Sequence, residues 1–203
     1  MNRIICLILT SAFLAGCSVE PAIAAEQKAV FAGGCFWGVE AVFEHVKGVI
    51  DVKSGYSGGK KESANYDEVS TGETKHAESV EIRFDSAKIT YEQLLNIFFE
   101  VAHNPTELNR QGPDIGPQYR SAIFYMSDEQ KKAAKAFIES LGASKKFAGP
   151  VVTEVVPFEH FYPAEDYHQD FMKRNPEHPY IVYHDVPKVT ALKKKFPGLY
   201  FGK

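Results

Sequence analysis

The chain has 203 residues, a net charge of −3, 44% hydrophobic residues and 24% charged residues. That balance suits one globular domain with a full core, and the charge gives no electrostatic case for a nucleic-acid partner. Its three cysteines, Cys6, Cys17 and Cys35, exclude a disulfide framework and four-cysteine zinc sites.

The first segment reads as an export signal. Arg3 gives a short positive region. Ile4 to Leu9 and Ala12 to Leu14 form an apolar stretch too short to span a membrane. Leu14-Ala15-Gly16-Cys17 resembles the bacterial lipobox, which predicts a signal peptide over 1–16, a lipid on Cys17, a tether over 17–27 and one domain over 28–203. From Ser18 to Gln27 such a tether reaches at most about 35 Å. Ser18 after the cysteine resembles the outer-membrane default of Gram-negative lipoproteins. The alternative is ordinary cleavage after Ala22-Ile23-Ala24, leaving a soluble periplasmic protein.

Ala29-Val30-Phe31-Ala32 reads as a short buried strand. It runs into Gly33-Gly34-Cys35-Phe36-Trp37-Gly38-Val39-Glu40, where helical periodicity begins: Phe36, Val39, Val42, Phe43 and Val46 share a face. Cys35 thus falls where a strand turns into a helix. Free N–H groups and the positive dipole end favour an anion there, so the thiol is expected to ionise readily and act as a nucleophile. The only tryptophan, Trp37, lies two residues on. The expectation is a catalytic thiolate beside an aromatic pocket. Core packing is the competing reading for Phe36 and Trp37, and Phe36 can serve both.

Val49 to Tyr56 reads as a strand, followed by a glycine-rich loop through Lys61 that lacks the Lys-Ser/Thr helix start of a phosphate loop. Asn65 to Val69 reads as a short strand or loop edge. Glu78 to Asp85 is the clearest strand: Val80, Ile82 and Phe84 form one face, Ser79, Glu81 and Arg83 the other. Glu78 is in phase with the apolar face. Two readings stay open for it: a buried carboxyl with raised pKa suited to acid catalysis, or a strand-end glutamate that bends to solvent. A capping box at Thr90-Tyr91-Glu92-Gln93 opens a helix that His103-Asn104-Pro105 ends. Thr106 to Gln118 is a polar segment. Then come a strand over Tyr119 to Met126, a second capping box at Ser127 to Gln130 with a helix to Gly142, and a strand over Val151 to Val156. A helix is predicted near Glu165 to Lys173. The remainder, with four prolines and the solvated run Lys193-Lys194-Lys195, reads as an extended tail packed on the surface. The class is α+β, with helices over a mixed or mostly antiparallel sheet.

Taken together, Gly33 to Glu40, Gly55-Tyr56-Ser57-Gly58-Gly59, Tyr66-Asp67-Glu68-Val69, His76-Ala77-Glu78, Gly112 to Ser121 and Ala164-Glu165-Asp166-Tyr167-His168-Gln169 resemble, in order, the motifs of the A-type peptide methionine sulfoxide reductases. The resemblance covers about residues 28 to 184. It implies a ferredoxin-like α/β sandwich with a long coiled C-terminal tail, and reduction of the S epimer of methionine sulfoxide in proteins or peptides. In that reading Cys35 attacks the sulfoxide sulfur and Glu78 protonates the oxygen. Tyr66 and Tyr119 hold that oxygen, Phe36 and Trp37 cradle the ε-methyl group, and Asp114 shapes the site. Surface hydroxyls on strands are the competing reading for the two tyrosines.

Many members of that family carry further C-terminal cysteines that resolve the sulfenic acid. Here Phe196 to Lys203 has none. With Cys17 lipidated, Cys35 is left as the one thiol, so a thioredoxin-like protein or a small thiol must reduce its sulfenic acid. A free Cys17 is the other candidate resolving thiol. No bound cofactor or metal is expected: His160 and His168, eight apart, make no convincing ligand pair. A monomer is expected, repairing oxidised exported proteins from a lipid anchor. Two other classes are weaker. A thiol hydrolase wants a motif-placed histidine, which is missing, and a non-catalytic module predicts a broken acid–tyrosine set.

Overall fold

The computed structural model describes residues 25–202. The expected signal peptide, the lipidation site Cys17 and most of the expected tether lie outside the described residues.

The core runs β1 (Glu26–Gly33), α1 (Phe36–Glu44), β2 (Val49–Ser57), α2 (Tyr66–Ser70), β3 (Ala77–Asp85) and α3 (Tyr91–Ile97), which widens into a π turn over Phe98–Ala102. A two-residue hairpin follows, β4 (Arg110–Gln111) with β5 (Asp114–Ile115), then β6 (Ser121–Tyr125) and α4 (Asp128–Ser144). The chain closes with β7 (Glu154–Pro157), β8 (Phe161–Pro163), α5 (Phe171–Arg174) and α6 (Val186–Lys195). The large sheet has the order β7-β6-β1-β3-β2-β8, antiparallel throughout except for β6 beside β7. Its middle four strands, β6-β1-β3-β2, with α1 and α3 as crossovers, are the ferredoxin-like sandwich that the motifs imply.

Period-two burial along β3 is what fixes this arrangement. Val80, Ile82 and Phe84 are fully buried, and Glu81 and Arg83 are only partly so. Phe31 on β1 stacks on Phe98 at 4.8 Å and meets Phe43 of α1 at 5.8 Å, so the helices close over the sheet through aromatic contact. Each such side chain, fully buried, contributes roughly 1.5–3 kcal/mol of transfer free energy.

Several local expectations change. β1 starts at Glu26, inside the expected tether, because Glu26 makes a two-pronged ion pair with Arg83 on β3. Residues 66–70 form a helix rather than a strand edge, since the Asn65 side chain accepts the Glu68 N–H at 3.1 Å and caps it. Tyr119 sits in a 3₁₀ turn before β6, not on the strand. The helix expected near 165–173 is confined to Phe171–Arg174, and turns precede it. The tail is not extended: Ile181–Asp185 forms a π turn that runs into α6, where Pro187 takes a first-turn position that needs no N–H donor.

Candidate active site

Cys35 is the N-cap of α1 and is 8% exposed. The turn before it requires glycine. Gly34 has a φ of +90°, and a methyl group there would lie 2.5 Å from Gln111 Cβ. The helix start behaves as expected in one respect, since the Trp37 N–H favours the thiolate. Burial outweighs it. Desolvation pushes the Cys35 thiol well above its ordinary value, and the nearby charges of Glu78 and Asp185 push the same way. The expected ready ionisation is therefore corrected: in the resting site Cys35 is a thiol.

Glu78 resolves in favour of burial. It is 2% exposed, pairs across the sheet with Tyr56, and its Oε2 accepts the Phe36 N–H at 3.0 Å. Burial pushes its carboxyl up to about 8, and Asp114 adds to this, while the Phe36 N–H opposes it. At neutral pH it is a carboxylic acid. With Oε2 occupied, Oε1 is left to carry the proton. A proton donor thus sits one peptide from Cys35.

Tyr66 and Tyr119 border the same space. Desolvation raises both phenols, and the charges of Glu78 and Cys35 raise them further, so both remain O–H donors. Tyr66 is held from behind: its N–H donates to Glu165 Oε1 at 2.9 Å, and the Tyr56 hydroxyl donates to Glu165 Oε2 at 2.9 Å. Glu165 sits in the segment 164–170, which straps across β2. In that strap Gln169 accepts the Ser54 N–H at 3.0 Å and donates to the Ser54 and Ala164 carbonyls at 2.9 Å.

Phe36 is buried, at 1% exposure, and Trp37 is half-buried. The Trp37 ring lies flat on Phe171 at 3.7 Å and meets Tyr180 edge-on at 5.8 Å. Its Nε1–H donates to His168 Nδ1 at 3.1 Å. Burial lowers the His168 pKa, which keeps the ring neutral and Nδ1 able to accept. Asp114 accepts a hydrogen bond from the Tyr180 hydroxyl. All seven expected site residues of the domain therefore fall in one neighbourhood. Sequence reasoning passed over His168, Phe171, Tyr180 and Glu165. The mixture of aromatics and acids over His160 to Asn175 was the available signal for the first two and for Glu165. Among the described residues no group of three or more His, Cys, Asp or Glu could hold a metal ion.

The family model for peptide methionine sulfoxide reductase matches residues 27–198. The chain belongs to that family. Its relatives are of the A type. It is 56% identical over 184 residues to peptide methionine sulfoxide reductase MsrA 2 of Mesorhizobium japonicum, covering 91% of this chain and 94% of that one. It is 57% identical over 170 residues to the protein of the same name from Synechocystis, covering 84% and 79%. Among solved structures it is similar to reduced Mxr1 of Saccharomyces cerevisiae, with a TM-score of 0.72 and 32% identity over 80% of this chain and 92% of that one. Mxr1 has also been solved in complex with Trx2. This reductase is thus an oxidoreductase that returns methionine sulfoxide to methionine.

Proposed function

We propose that the protein reduces the S epimer of methionine sulfoxide in proteins or peptides through Cys35. The Cys35 sulfur attacks the sulfoxide sulfur while Glu78 donates its proton to the sulfoxide oxygen, which would otherwise leave poorly. Tyr66 and Tyr119 donate hydrogen bonds to that oxygen as charge develops on it. Phe36 and Trp37 enclose the ε-methyl group, and the Tyr180–Asp114 pair closes the Trp37 edge. As the transient bond between the two sulfurs and the substrate S–O bond both break, the oxygen bonds to Cys35 and one electron pair returns to the substrate sulfur as its lone pair. The substrate is reduced by two electrons to methionine, and the thiol is oxidised to sulfenic acid. The thiol proton restores Glu78, so the step balances. The observation that carries this reading is the hydrogen bond from the Phe36 N–H to a buried, protonated Glu78.

No cysteine follows Cys35 in the sequence. With Cys17 lipidated, two external thiols, or one dithiol protein, reduce the sulfenic acid to thiol and water. The existence of an Mxr1–Trx2 complex supports a thioredoxin-like donor. In a single turnover without reductant, reduced protein yields about one equivalent of methionine from the S-sulfoxide peptide, none from the R, and none after Cys35→Ser. Equal yields from both epimers would remove the stereochemical assignment. We further propose that Cys17 carries a lipid that anchors the enzyme, as a monomer on the periplasmic side of an outer membrane, for repair of exported proteins. Fatty-acid label that is absent, or that survives Cys17→Ala, sinks the anchor.

A further inference from the structure

A charged pair, one member buried and the other partly so, packs against the helix that begins at Cys35. Asp185, at the end of the turn before α6, is fully buried. Lys188 Nζ donates to its Oδ1 at 3.2 Å. The carboxylate lies on Gly38, the third residue of α1, so closely that a methyl group there would overlap Oδ1 and stand 2.7 Å from Lys188 Nζ. Asp185 Oδ2 is buried with no hydrogen-bond partner. Burying the Asp185 carboxyl with one oxygen orphaned, and partly covering Lys188, offsets most of what the pair gains, so stability gives weak grounds for it.

We infer that Asp185 and Lys188 are positioning residues acting as opposed charges on Cys35, Asp185 holding it in the SH form and Lys188 favouring the thiolate. The geometry places both charges against Gly38, one helical turn from Cys35. The direction of each influence on the thiol agrees: Asp185 raises it and Lys188 lowers it. From the other elements, Glu78 on β3 raises the thiol and the Trp37 N–H lowers it. The phenols of Tyr66, Tyr119 and Tyr180 face Cys35 with their protons on. Burial raises the Asp185 carboxyl, Lys188 and His184 favour its charged form, and Asp114 opposes it. A thiol kept protonated reacts slowly with peroxides, which spares the site from oxidation in the absence of substrate.

The test reads the thiol directly. Iodoacetamide alkylation of the Cys35 peptide is followed by mass spectrometry across pH in the full chain, in Asp185→Asn, in Lys188→Met and in the double variant. Asp185→Asn lowers the alkylation midpoint by about half a pH unit or more, roughly a threefold gain in rate at pH 8. Lys188→Met raises it by a similar amount, and the double variant returns close to wild type. Loosened packing would speed alkylation in both single variants alike, so shifts of the same sign, or no shift, overturn the inference. The inference takes Cys35 as the nucleophile of the proposed reaction, but alkylation needs no sulfoxide, so it can fail while that reaction stands.

Discussion

Glu78 and Glu40 are two carboxyl groups buried at the same helix, and they differ in what faces them. Each is 2% exposed and each is pushed up to about 8, with burial as the largest cause. Glu78 reaches α1 from β3 and bonds to the residue after Cys35. Glu40 is part of α1 itself, and the N–H that favours its charged form is that of Asp170, at the end of the strap. The cause of the raised value is the same in both. What separates them is neighbourhood: Glu78 feels Cys35, Tyr66 and Tyr119, and Glu40 feels Glu44 and Asp170. A raised carboxyl marks a buried site, and only its alignment with a nucleophile makes it an acid catalyst.

That comparison is broken most sharply by paired amide substitutions. Glu78→Gln slows formation of the sulfenic acid by about 10²-fold or more, and Glu40→Gln leaves it within about threefold, measured in a single turnover. The wild-type rate falls as pH rises past about 8, because the acid form of Glu78 is lost there. In Glu78→Gln that limb is absent. Equal losses in the two variants would erase the distinction.

The smaller effect is on stability, and here the two residues behave alike. In the unfolded chain each carboxyl loses its proton near 4.5; in the folded chain each keeps it to about 8. The native state binds more protons in between. Stability is therefore fully present below about 4.5 and is lost as pH rises toward 8, on the order of a few kcal/mol at most for each group. Glu40→Gln flattens this slope in urea unfolding midpoints taken across that window. A slope unchanged by the substitution would mean that Glu40 gains compensation on ionising.

How far the sequence carries depends on where each residue's environment comes from. Glu78 was legible because Val80, Ile82 and Phe84 set the phase of its strand locally. Cys35 was legible as a helix start, but not as a raised thiol, since the burial comes from chain folded over it. The short helix carrying Tyr66 hid behind a run of five residues whose one signal is the Asn65 cap. The C-terminal helix hid behind its prolines and lysines. Around Asp185 hydropathy inverts: Tyr183 is 75% exposed and Asp185 fully buried. No periodicity argument places a carboxylate in the interior beside an exposed tyrosine, because only the contact with Gly38 puts it there.

The order of the chain has a consequence for synthesis. Cys35 and Glu78 both lie within the first 78 residues, but Trp37 rests on His168, Phe171 and Tyr180, and Tyr66 on Glu165. A nascent chain that has emerged only as far as β7 holds Cys35 and Glu78 without the residues that support Trp37 and Tyr66. On the proposed mechanism selectivity is therefore made late in synthesis, and a truncation after β8 would remove the supports of Trp37 and Tyr66 while leaving Cys35 and Glu78 in the chain.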